Sequence, residues 1–150
     1  MKVNEIMTKE ITSLSPEADA KEALDLLLKI KISGLPVIDD KNKLVGMLTE
    51  KEILSAILPS YVEKVGKFVY EENPKVVKQK ISALQNMKVK DLMRKNVVTV
   101  DEDTTLCEAA RIMLTQKARR LPVLNKAQDV IGIVARGDVV KALFREAVAE

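Results

Sequence analysis

Met1-Lys2-Val3-Asn4-Glu5-Ile6-Met7 returns as Met87-Lys88-Val89-Lys90-Asp91-Leu92-Met93, an offset of 86 residues from Met7 to Met93. The same offset carries Glu22-Ala23 onto Glu108-Ala109, Leu35-Pro36-Val37 onto Leu121-Pro122-Val123, and Gly46 onto Gly132. No insertion is needed between these anchors. Self-similarity held in one register means that a single supersecondary unit is used twice, which governs every later reading of the chain.

Each copy reads as β-α-β-β-α. A short β-rich run (Ile11 to Leu14; Val97 to Val100) precedes a helix opened by Asp19-x-x-Glu22 in copy one and Thr105-x-x-Glu108 in copy two, both capping-box patterns. Ala20, Ala23, Leu24 and Leu27 fall at helical spacing, as do Leu106, Ala109, Ala110 and Met113. A strand with proline near its start follows (Leu35 to Ile38; Leu121 to Leu124), where a missing N–H is tolerated. A polar turn (Asp39 to Asn42; Asn125 to Asp129) then leads into Leu44 to Leu48 or Val130 to Val134, and a closing helix ends the copy. So small a unit cannot bury its sheet face alone and is expected to dock on its twin. The expected division is copy one at 1–58, a helical linker or insert at 59–86, and copy two at 87–147. The insert carries one apolar stripe at Tyr61, Val62, Val65, Phe68 and Val69 and, after Pro74, another at Val77, Ile81 and Leu84. Such stripes suit either packing on the module or a dimer or partner surface.

Composition narrows the function. The chain has 47% hydrophobic and 31% charged residues, the balance of a soluble globular protein rather than a disordered one. No apolar run approaches the roughly 18 to 20 residues of a membrane helix, and the N-terminal residues lack the apolar core of a signal peptide. The lone Cys107 cannot form an internal disulfide, so a reducing cytoplasm is the expected location and an inert thiol the expected state. There is no histidine, which removes the Ser-His-Asp triad, an imidazole base and a His-ligated metal. Five isolated glycines form neither a G-x-G-x-x-G nor a phosphate-loop motif. The expectation is therefore no enzyme, no catalytic residue, no metal and no required cofactor. A net charge of +3 suits an anionic small ligand and is too weak to argue for nucleic acid.

The repeated elements resemble the cystathionine β-synthase (CBS) domain family, whose members occur as tandem pairs called Bateman modules. In copy one the resemblance rests on Val3-x-x-Ile6-Met7, Ile32-Ser33-Gly34-Leu35-Pro36-Val37-Ile38-Asp39 and Leu44-Val45-Gly46-Met47-Leu48-Thr49-Glu50-Lys51-Glu52-Ile53-Leu54. In copy two it rests on Val89-x-x-Leu92-Met93, Arg119-Arg120-Leu121-Pro122-Val123 and Ile131-Gly132-Ile133-Val134-Ala135-Arg136-Gly137-Asp138-Val139. It covers nearly the whole chain except 59–86. It implies an α/β (α+β) fold of two CBS repeats packed with pseudo-two-fold symmetry, two inter-repeat clefts, and adenosine-containing ligands: AMP, ADP, ATP or S-adenosylmethionine.

The resemblance also implies site residues. Its nucleotide signature, Gly-h-h-Ser/Thr-x-x-Asp, places Asp138 on the ribose, where an ionised carboxylate accepts charge-assisted hydrogen bonds from both hydroxyls. The plain alternative is an acid in a helix's first turn, favoured by the macrodipole. Ala135 stands where the family prefers Ser or Thr. Copy one keeps Thr49 but carries Glu52 for Asp, and Thr49-x-x-Glu52 is itself a capping box that explains both residues without a ligand. In relatives such as the γ subunit of the AMP-activated kinase, basic residues matching Arg119 and Arg120 face phosphate, which an arginine fork suits. Arg136 starts the closing helix, where backbone N–H groups favour anions. Ordinary surface charge is the alternative for all three arginines. Their counterparts Ser33, Gly34 and Glu50 carry no positive charge, so the clefts are expected to be unequal. Asn96, Val98, Ala118, Ala135 and Pro122 would line the adenine side of the stronger cleft. Thr12, Ile32, Ser33, Thr49 and Glu52 would line the weaker one.

The leading expectation is a stand-alone regulatory module that binds an adenine nucleotide and transmits its binding state to an effector protein. A ligand-free dimerisation or scaffold module is the alternative, favoured by Ala135 and Glu52. A nucleic-acid surface at Lys75, Lys78, Lys80, Lys88, Lys90, Arg94 and Lys95 is disfavoured by interleaved acids. A homodimer is expected, paired through the closing helices at about 50–58 and 137–147 by Ile53, Ile57, Val140, Leu143 and Phe144.

Overall fold

The repeat pattern becomes ordered elements in a computed structural model, which describes residues 1–58 and 74–149. The stripe from Tyr61 to Val69 lies outside them. In chain order the elements are α1 (Ala20–Ile30), β1 (Gly34–Ile38), β2 (Leu44–Thr49), α2 (Glu50–Ile57), α3 (Pro74–Ala83), α4 (Val89–Leu92), β3 (Val100–Asp101), α5 (Leu106–Thr115), β4 (Arg120–Leu124), β5 (Val130–Ala135) and α6 (Arg136–Val148). Short 3-10 turns occupy Val3–Glu5 and Leu84–Asn86. Mixed helix and strand in two repeats is the expected α+β class.

The chain forms two compact units that cut across the repeats. Unit 1 contains 1–12, 41–44 and 97–149; unit 2 contains 13–40 and 45–96, without the residues outside the description. Each copy has thus given its opening segment to the other copy's body. In unit 1, Thr8 N–H donates to the Ile133 carbonyl (2.8 Å) and Ile133 N–H to that of Thr8 (3.0 Å), so the N-terminal segment lies along β5. Val3 N–H donates to Thr104 (2.9 Å) and Leu106 N–H to Met1 (3.1 Å). Unit 2 repeats these contacts at equivalent residues. Arg94 and Met47 exchange bonds of 2.8 and 2.9 Å, Val89 N–H reaches Ala18 (2.9 Å), and Ala20 N–H reaches Met87 (2.9 Å).

One capping expectation is corrected and the other is half met. Thr105 Oγ accepts the Glu108 N–H at 3.2 Å, while the Glu108 carboxylate meets Arg111 rather than reaching back to Thr105. Asp19 makes no side-chain cap bond, although the Met87 carbonyl meets the Ala20 N–H just as the Met1 carbonyl meets that of Leu106. The opening strands are also shorter than the β-rich runs. Only Leu14 pairs in copy one, parallel to Val37, and only Val100 and Asp101 in copy two, parallel to Val123 and Leu124.

The sheets are β1-β2 in copy one and β3-β4-β5 in copy two, with β4 and β5 antiparallel. Their apolar faces are closed by the helical positions that periodicity marks. Leu14, Ala23, Leu27, Leu35, Val37, Leu48, Ile53 and Val89 form the core of unit 2. Val3, Val100, Leu106, Ala109, Met113, Leu121, Val123, Val134, Val139 and Ala142 form that of unit 1. Val3 and Val89, the third residues of the opening repeats, are fully buried in these exchanged positions.

Gly46 and Gly132 make room for the exchange. A Cβ on Gly132 would stand 2.5 Å from Met7 Sδ and 3.1 Å from the Thr8 carbonyl oxygen. On Gly46 it would stand 2.6 Å from Met93 Sδ and 2.9 Å from the Arg94 carbonyl oxygen. Gly46→Ala and Gly132→Ala should each destabilise the chain in urea melts, by about 1–3 kcal/mol. Gly46→Ala should lose more, since backbone yields less readily than a methionine tip. No loss in either variant would contradict this packing.

Glu17 anchors the incoming segment of unit 2, meeting Lys88 Nζ at 2.8 Å and Lys90 Nζ at 2.9 Å. Hydrogen bonds from Lys88 first, then Lys90, hold its carboxyl down to about 2 from an ordinary 4.5. A carboxyl lowered by folding stabilises above its unfolded value and loses that contribution as pH falls toward the folded one. The group is exposed, so salt should weaken the effect. A carbon-detected titration of Glu17 should show a midpoint near 2 at low salt. A midpoint near 4.5 would mean that the pairs do not persist in solution.

Candidate functional site

Five of the proposed ligand residues meet in one corner of unit 1, where β4 begins and β5 runs into α6. Arg120 sits opposite Ala135 in the antiparallel register. Beside them, Arg136 N–H donates to the Arg119 carbonyl at 2.9 Å, closing the strand pair as the helix starts. Asp138 is the third residue of α6, and its Oδ2 accepts the Ala135 N–H at a long 3.3 Å. Oδ1 has no protein partner among the described residues. Asp138 and Arg120 are half-buried, while Arg119 and Arg136 are exposed. Neither exposed arginine has an ion-pair partner among the described residues. Three arginines and one aspartate thus lie at or beside the first turn of a 13-residue helix along the backbone.

Pro122 is buried two residues further along β4, opposite Ile133. Val98 and Ala118 pack on the core of unit 1, and Ala118 N–H donates to Met113 at 3.0 Å. Asn96 is exposed and belongs to unit 2. Thr12, named with the copy-one set, belongs to unit 1.

Copy one builds the same backbone corner with different chemistry. Glu50 N–H donates to the Ser33 carbonyl at 2.9 Å, the counterpart of the Arg136–Arg119 bond. Here, however, Glu52 Oε1 accepts both the Thr49 N–H (3.0 Å) and the Thr49 hydroxyl (2.7 Å). The extra methylene lets this carboxylate reach back and cap α2. Gly34 lies against Thr49, where a Cβ would be 2.7 Å from its methyl, and Ile32 is half-buried with its N–H 3.4 Å from the Leu27 carbonyl. In each corner one carboxylate oxygen turns back to the start of its helix, with two bonds at Glu52 and one long bond at Asp138, and arginines accompany only the second.

Other charges and apolar groups fall differently from expectation. Lys88 and Lys90, from the basic surface considered for nucleic acid, are both paired with Glu17. Ile53 is a core residue of unit 2 and Leu143 packs on the core of unit 1, so neither is a free dimer contact. Val140 (60%) and Phe144 (69%) do stand exposed on α6, as does Leu54 (52%) on α2. Cys107 is exposed. Among the described residues there is no group of three or more Cys, Asp or Glu able to hold a metal, and no helix long and apolar enough to cross a membrane. Sequence reasoning missed Thr8, whose backbone supports the β5 edge leading to Ala135. Its signal was the joint recurrence of Met7 and Gly132 at the repeat offset.

The family model for the CBS domain matches residues 3–59 and 89–145. The chain is 36% identical over 151 aligned positions to the chloroplastic CBS domain-containing protein CBSX1 of Arabidopsis thaliana, covering 95% of this chain and 64% of that protein. It thus spans about two thirds of CBSX1's length. It is 34% identical to the uncharacterised protein MJ1426 of Methanocaldococcus jannaschii, covering 96% and 92% of the two chains. Among solved structures it is similar to CBSX2 in complex with AMP, with a TM-score of 0.74, 32% identity, and 97% and 98% of the two chains covered.

Proposed function

Because the chain belongs to the CBS-domain family and carries two such repeats, we propose that it is a non-enzymatic regulatory module that binds a phosphorylated adenosine (AMP, ADP or ATP) at the Asp138 corner and passes the binding state to a partner protein. The observation that carries this reading is the lightly bonded carboxylate beside arginines: Asp138 Oδ2 accepts one long bond from the Ala135 N–H, leaving Oδ1 for a ribose hydroxyl. Arg119, Arg120 and Arg136 supply phosphate donors, with the start of α6 behind them. Val98, Ala118 and Ala135 offer small apolar surface for a base, whereas Pro122 is already buried and Asn96 belongs to the other unit. S-adenosylmethionine suits this corner less well, since its sulfonium would meet three positive charges. The AMP carried by CBSX2 supports the ligand class. At the copy-one corner, Ile32, Ser33, Thr49 and Glu52 would form the weaker site, since Glu52 is engaged by Thr49; Thr12 belongs to the other unit. The signal passed on is limited by the ligand's differential affinity for the two states of the module.

A second reading, a ligand-free scaffold that assembles partners, draws on the missing hydroxyl at Ala135. A nucleic-acid surface is weakened by the pairing of Lys88 and Lys90 with Glu17. The proposed location is a reducing compartment such as the cytoplasm, judged from the lone Cys107.

Calorimetric titration with AMP, ADP, ATP and S-adenosylmethionine tests the ligand reading. Asp138→Ala should weaken AMP roughly ten- to a hundredfold, the worth of a charge-assisted hydrogen bond. Glu52→Ala should leave AMP binding unchanged while lowering stability by about 1 kcal/mol through the lost cap. Arg120→Ala should weaken AMP far more than adenosine. Unchanged AMP affinity in Asp138→Ala, or no binding by any of the four, would favour the scaffold.

We also propose a homodimer seated on the exposed side of the closing helices, where Val140 and Phe144 would bury apolar area now facing water. Light scattering at tens of micromolar should give twice the chain mass, and Phe144→Glu should return it to that of one chain. A single-chain mass for the unaltered protein would refute the dimer.

A further inference from the structure

Positions 43 and 129 are the same place in the two repeats, and in unit 1 they face one another. Lys43 Nζ lies 2.7 Å from Asp129 Oδ1 and 2.6 Å from the Ala127 carbonyl oxygen. Their backbones form an antiparallel bridge, and Val130 N–H and Asn42 Nδ2 donate to the Asn42 and Val130 carbonyls, respectively, at 3.3 Å each. The other bridges at the opening segments come in equivalent couples: Thr8–Ile133 matches Arg94–Met47, and Lys2–Thr105 matches Lys88–Asp19. Among the isolated bridges between described residues, only Lys43–Asp129 joins a residue to its own equivalent.

The two hairpin tips also share a left-handed residue at the same position. Asn42 and Gln128, again equivalent, both take left-handed conformations, with φ of 63° and 67°. Asp129 is held in place by its own turn, where its N–H donates to Asn125 Oδ1 at 2.9 Å. This shared conformation does not distinguish a copy-one tip from a copy-two tip. Charge does.

We propose that Lys43 and Asp129 form a pairing key, which makes a copy-one tip accept a copy-two tip and reject another of its own kind. Two copy-one tips would bring lysine against lysine at a place where equivalents meet. Two copy-two tips would bring aspartate against aspartate. Only the mixed pair is attractive, so the key favours the assembly in which each repeat is completed by the other. This role is separate from nucleotide binding and stands whether or not the Asp138 corner takes a ligand.

The test is a charge-reversal cycle in the full chain, read as the folded-to-unfolded ratio from urea melts at low salt. Lys43→Asp places two aspartates face to face, and Asp129→Lys places two lysines there. Opposite charges directly across a strand pair stabilise and like charges destabilise, so each single reversal should lower the ratio by roughly three- to tenfold. The double reversal, Lys43→Asp with Asp129→Lys, restores an attractive pair and should return to within about twofold of the parent. Lys43→Met with Asp129→Asn supplies an uncharged reference that should lie between the parent and the single reversals. A double reversal no more stable than the singles, or singles within twofold of the parent, would overturn the proposal.

Discussion

The backbone bridge between Thr8 and Ile133, and its equivalent between Arg94 and Met47, is the contact on which the rest depends. Each puts the opening segment of one repeat on a strand edge of the other, where N–H and C=O groups would otherwise be left unpaired. The methionine that follows Ile6 or Leu92 then occupies the space above a strand glycine, Gly132 or Gly46. The buried valines, Val3 and Val89, enter these cores together with Ile6 and Met7 in one and Leu92 and Met93 in the other. The motif that recurs most visibly in the sequence is therefore the part that ties the two copies together.

Much of this was legible because it follows from local chemistry. The repeat offset, the helical spacing of Ala20, Ala23 and Leu27, and the proline-started strands all appear where the pattern puts them. The Thr49–Glu52 cap was also readable, since a threonine three residues before a glutamate carries its own geometric consequence. What escaped the sequence was non-local. The carbonyls of Met87 and Met1 accept the first helical N–H of the other repeat, at Ala20 and Leu106. Ile53 matches a surface stripe but belongs to the core of unit 2. Nothing within a single repeat states which body its first residues will join.

The same backbone corner carries two chemistries. At Thr49 and Glu52 one carboxylate oxygen accepts both a backbone N–H and a hydroxyl; at Ala135 and Asp138 the shorter acid and the missing hydroxyl leave a single long bond. Arg119, Arg120 and Arg136 reinforce that difference, because their counterparts Ser33, Gly34 and Glu50 cannot draw an anion. The two repeats supply equivalent backbone frames, and a few side-chain differences give them different charge.

The most direct test of this inequality is an AMP titration of the nitrogen-15-labelled chain followed by amide chemical shifts. The account predicts progressive shifts at Arg119, Arg120, Arg136, Gly137 and Asp138, with Ser33, Gly34, Glu50 and Glu52 staying near their ligand-free positions. Equal movement at both corners, or movement confined to Ser33, Gly34, Glu50 and Glu52, would contradict it.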